Sequence, residues 1–102
     1  MTDTIRQQYR DWFEDHPPVF TSKIEEINVY GEVLVVCKTS GTNLKGNPMF
    51  GVEIRRKTAD GFEAVDNALN RPFHDEEEAD RYLFRLERMA ADYARLADWV
   101  TD

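Results

Sequence analysis

The sequence predicts an α+β fold: a short N-terminal helix, an antiparallel meander of three strands (four if the segment before Gly31 is extended), and a long C-terminal helix packed on the sheet. Three stretches carry the prediction. "EVLVVCKT" holds five consecutive apolar residues, Val33 to Cys37, as a strand covered on both faces does. "MFGVEIRRK" alternates, with Phe50, Val52 and Ile54 on one side and Glu53, Arg55 and Lys57 on the other. After Asp75, residues Ala79, Tyr82, Leu83, Leu86, Met89, Ala90, Tyr93, Leu96, Ala97 and Val100 recur at helical spacing as one apolar stripe.

The first helix is read over Thr4–Asp15. Ile5, Tyr9, Trp12 and Phe13 share a face, Thr4 with Gln7 has the form of a capping box, and "HPP" stops the run. So short a helix must dock on something, because alone it would hardly form. Val19–Tyr30 reads either as a helical turn opened by Ser22 with Glu25 three residues on, or as an irregular strand leading to Gly31; Ile27 and Val29 alternating with Asn28 and Tyr30 favour the strand. Asp60–Gly61 is expected to form a type I′ hairpin turn before "FEAVD" returns as the last strand. Asp75 caps the final helix, with Glu76–Glu78 where the helix dipole favours negative charge. Run to Trp99, that helix is roughly 36 Å long, against about 26 Å for an eight-residue strand. Part of its stripe therefore needs a partner beyond the sheet.

The chain has 102 residues, enough for a single domain, 1–102, with a modest core of its own. Apolar residues make up 41% and charged residues 32%, a globular balance, and no apolar run reaches the length of a membrane span. The N-terminus has no basic segment followed by an apolar stretch, so no secretory signal is expected. A single cysteine, Cys37, leaves no internal disulfide and predicts a reducing, cytoplasmic setting. The net charge of −7 repels nucleic-acid backbones at long range.

Each chemistry-bearing motif has a structural reading beside the functional one. Gly41 and Gly46 in "TSGTNLKGNPMFG" stand as G-x-x-x-x-G, the first half of a phosphate-cradling loop. The lysine, the hydroxyl and the following helix are all missing, so the stretch reads as the bend between two strands. Cys37 lies in the most apolar strand and reads as a small hydrophobe rather than a nucleophile. His16 and His74 sit at element boundaries without metal-ligand spacing, and the acids of "HDEEEAD" are explained by the helix start. No cofactor and no metal is expected, and no nucleophile–base–orienter set marks an enzyme.

Two surfaces remain. Lys38, Lys45, Arg55, Arg56 and Lys57 form the one basic stretch; as nucleic-acid contacts they are the alternative reading, and a charged edge strand that discourages aggregation is preferred. Arg81, Phe84, Arg88, Arg95 and Trp99 cluster opposite the apolar stripe and combine residue types enriched at interface hot spots. The function expected is that of a non-enzymatic protein-interaction or accessory module, with a protein partner or a second copy in a homodimer through the long helix. Acidic mimicry of DNA belongs to the alternative, and a small enzyme whose site is assembled from residues distant in sequence is the second alternative. The run "RPFHDEEEADRYLFRLE" resembles three-stranded-sheet-plus-helix modules such as the arm-binding domains of phage-type integrases, through an aromatic, a cap and an "EA" helix opening in the second half of the chain. The net charge and the spread basic residues depart from a DNA-reading sheet, so that function does not carry over.

Overall fold

A computed structural model describes the backbone of residues 2–16 and 21–101, and the side chains of 4–16 and 23–95. The order is α1 (Thr2–Asp15), β1 (Thr21–Tyr30), β2 (Leu34–Thr42), β3 (Pro48–Thr58), β4 (Gly61–Ala64), a 3-10 turn (Asn67–Leu69), β5 (Arg71–Phe73) and α2 (Glu76–Thr101). The strands form one antiparallel sheet in the order β1-β2-β3-β4, with β5 also on β3. It is the expected α+β meander, extended to five strands.

Strand β3 is the hinge of this topology. Its first half pairs with β5, Phe50 opposite Phe73 and Val52 opposite Arg71, and its second half pairs with β4, Arg55 opposite Ala64 and Thr58 opposite Gly61. Ile54 falls between the two partners. Its N–H donates to the Asn70 side-chain oxygen at 2.8 Å, and its carbonyl accepts from the Val65 N–H at 3.5 Å. Both main-chain groups are thereby satisfied, as a buried residue requires. β5 was not foreseen, because three residues with a central proline carry no alternation of their own.

The doubly apolar β2 is explained by its two faces. Leu34 and Val36 point with Val52 and Ile54 of β3 to one side, where Ala79, Leu83, Leu86 and Ala90 of α2 close over them. Val35 and Cys37 point to the other, with Ile27 and Phe62, beneath Ile5, Tyr9 and Phe13 of α1. Each large apolar side chain buried in this way contributes about 1.5–3 kcal/mol. Tyr9 is fully buried and meets the Phe62 ring edge-on at a centroid distance of 5.1 Å.

Four details differ from the sequence reading. Helix α1 starts at Thr2, so Thr4 lies inside it and does not cap it. Val33 belongs to the β1–β2 turn and is exposed; the strand starts at Leu34. The expected type I′ turn at Asp60–Gly61 is absent, since neither Ala59 nor Asp60 has positive φ. Positive φ at two successive residues occurs instead at Gly31 (+60°) and Glu32 (+59°), where the Val33 N–H closes onto the Tyr30 carbonyl. Finally, Met89 and Tyr93 of the α2 stripe stay largely exposed. Leu96, Ala97, Val100 and the Trp99 side chain lie outside the described side chains.

Candidate interaction surfaces

Within the Thr39–Gly51 stretch the ends belong to β2 and β3, and the bend between them, residues 43–47, is held by one residue. Asn43 accepts from the Lys45 and Asn47 N–H groups on its side-chain oxygen, both at 2.9 Å, and from the Gly46 N–H on its carbonyl, also at 2.9 Å. The donors a phosphate would need are turned inward onto Asn43. Gly46 has φ of +83°, which suits glycine at this position.

Four of the five cations of the basic stretch are divided between the two faces of the sheet, on the interior strands β2 and β3 and not on the edge strand expected. Lys38 lies under the start of α2, its Nζ 3.1 Å from Glu76 and 2.5 Å from Asp80. Burial works to lower its pKa, but the two carboxylates outweigh it and the net shift is upward. Arg56 shares that face and pairs with Glu63 at 2.6 Å. On the opposite face Arg55 bonds both oxygens of Glu53, at 3.1 and 3.3 Å, and covers the Trp12 ring; Lys57 covers Phe62. Lys45 is exposed in the loop. The register thus separates these residues by face, and four of the five hold other parts of the chain.

Beneath α1 lies a polar cluster that sequence spacing did not reveal. The Tyr9 hydroxyl donates to Glu53 at 3.3 Å, beside the Cys37 thiol, and shares the same carboxylate oxygen with the Arg55 Nε. Burial pushes the thiol up to about 12 and the phenol up as well. A thiol held neutral and 1% exposed is no nucleophile. His16 stacks on Trp12 at the end of α1, whereas His74 approaches the Pro48 carbonyl beyond β5, so the two histidines are not brought together.

Helix α2 presents two distinct exposed surfaces. Its outer face carries Arg81, Phe84, Arg88 and Arg95; Phe84 is 60% exposed with the Arg88 guanidinium 5.9 Å above its ring, and Arg95 reaches Asp92 at 3.6 Å. Its other surface is a groove of about 180 Å³ between α2 and the β4–β5 connection. Leu34, Ile54 and Leu69 form its floor, and Val65, Met89 and Tyr93, 46%, 40% and 51% exposed, form its rim. Arg56 stands at the edge, already paired with Glu63. The groove opens between α2 and residues 65–69, with β2 and β3 side chains as its floor. The excess of helix over strand length was its only sign in the sequence. Val65 carried none, because nothing local places it opposite Met89.

No protein-family model, no curated protein and no solved structure matches this chain. No helix among the described residues is long and apolar enough to cross a membrane.

Proposed function

We propose that the protein is a non-enzymatic interaction module and that the groove between α2 and the β4–β5 connection receives an apolar side chain of a protein partner. The observation that carries this reading is the rim of Val65, Met89 and Tyr93, half-exposed apolar residues converging on an aliphatic floor. A volume near 180 Å³ suits one aromatic ring or one branched aliphatic side chain, and such an anchor in a pocket is the usual core of a binding hot spot. Methionine at the rim suits a surface that re-packs around its ligand. The groove's single lining charge, Arg56, is occupied by Glu63, which favours an apolar anchor over a charged one.

Affinity capture from the native cell's lysate, comparing the wild type with a Met89→Glu/Tyr93→Glu variant, tests this. Both side chains are exposed at the rim, so the fold is expected to survive, as circular dichroism would verify. At least one partner retained by the wild type should be lost by the variant. An identical set of retained proteins contradicts the reading.

A further inference from the structure

The outer face of α2 is complementary to itself when reversed. From Glu77 to Arg95 is about five whole turns, so the two lie in line on the face opposite the core, roughly 27 Å apart. Between them, on the same face, come Arg81, Phe84, Arg88 and Asp92, all exposed. Place a second copy of the helix antiparallel, with the two-fold at residue 86, and each group meets a complement: Glu77 faces Arg95 of the second copy, Phe84 faces Arg88, and Arg81 comes within one residue's rise of Asp92. The operation repeats each contact, as an isologous interface must.

From this charge pattern we infer that the protein self-associates through antiparallel pairing of α2, with a second copy of this chain as the occupant of its outer face. The three arginines of the face all find partners in this register, two on carboxylates and one on an aromatic ring. A parallel arrangement would set Arg81, Arg88 and Arg95 each against its own copy. The present Arg88–Phe84 contact, 5.9 Å to the ring centroid, and the Arg95–Asp92 pair at 3.6 Å are both exposed local contacts, free to exchange for the same contacts across the two-fold. With Phe84 the one large apolar group among the described residues of the face, the pairing is electrostatic in character and salt-sensitive. It goes beyond the groove reading and does not depend on it, because Met89 and Tyr93 lie roughly 110–150° around the helix from this face.

Sedimentation equilibrium of the intact chain at low salt is the test, with two charge reversals. Glu77→Lys alone sets Lys against Arg95 across the two-fold, and Arg95→Glu alone sets Glu against Glu77. Each variant should remain monomeric at concentrations where the wild type dimerises, while an equimolar mixture of the two restores association, because both ion pairs are then re-formed, one with its original sign and one with the sign reversed. Wild-type association should weaken about tenfold between low and high salt, as Debye screening shortens the reach of the pairs. The Met89→Glu/Tyr93→Glu variant should dimerise like the wild type, so failure of the groove reading and failure of this pairing are separable. A wild type monomeric at about 1 mM in low salt, or a mixture no more associated than its components, overturns the inference.

Discussion

Asn43 and Asn70 satisfy main-chain groups that the strand ladder leaves over: Asn43 gathers the Lys45 and Asn47 N–H groups of the β2–β3 loop, and Asn70 takes the Ile54 N–H where β4 gives way to β5. A neutral hydrogen bond of this kind is worth about 1 kcal/mol net, and a buried donor left without one costs more. Glu32 is the opposite case. It holds φ of +59°, a region costly for any residue with a Cβ, in a turn where Gly31 already supplies the first positive φ. Replacing Glu32 with Gly removes that strain at the expense of a more flexible unfolded chain, and is expected to stabilise the protein by about 0.5–1 kcal/mol. A urea titration reads this as a higher midpoint at unchanged slope. A lower midpoint would mean that the Glu32 side chain contributes more than its backbone costs. None of these residues stood out in the sequence, because asparagine and glutamate in a loop are read as solvated until the backbone partner is known.

At the scale of elements, α1 and α2 are attached by different physics. Helix α2 lays aliphatic residues on Leu34, Val36, Val52 and Ile54 and ties its first turn to Lys38. Helix α1 buries its own Tyr9 against Cys37 and Glu53, so its docked state needs two acids, the phenol and the thiol, in their neutral forms. Both Tyr9 and Cys37 have folded pKa values raised above the unfolded ones, chiefly by burial. Their contribution to stability is therefore full below the unfolded thiol value of about 9.0 and declines as pH rises through the folded value of about 12. Stability should thus fall from about pH 9 upward, with the slope reduced in a Cys37→Val variant and reduced again in Tyr9→Phe. Denaturant melts from pH 7 to pH 10.5 would show it. A flat profile in the wild type would place the phenol and thiol in contact with water. The helices themselves were legible because apolar residues at 3.6 spacing betray a docked face whatever it docks on. The cluster under α1 was not, since Tyr9, Cys37 and Glu53 are joined by the sheet register and not by proximity in the chain.

For the molecule as a whole, the sheet is covered on both faces where the core forms, so contact with other molecules falls to the periphery. The β1 edge bears Lys23, Glu25 and Glu26 and a register irregularity between Ile24 and Glu26, devices that discourage strand addition. Helix α2 is the element with apolar surface to spare. Its surplus over the strands could be computed from sequence, but which residues it would strand in solvent could not. Met89 and Tyr93 sat on the predicted stripe like any core position, and only the path of residues 65–70 leaves them at the rim of a groove.

The groove as a contact site is the central claim, and Met89 reports on it directly. Mild peroxide oxidises an exposed methionine thioether to the sulfoxide, and Met49, partly buried at the opposite end of β3, serves as an internal reference. Mass spectrometry of the oxidised protein, purified and in native lysate, gives the Met89-to-Met49 oxidation ratio in each. Occupancy of the groove predicts a ratio several-fold lower in lysate, as burial of the thioether slows the reaction. An unchanged ratio would mean that nothing covers Met89 and would contradict the account.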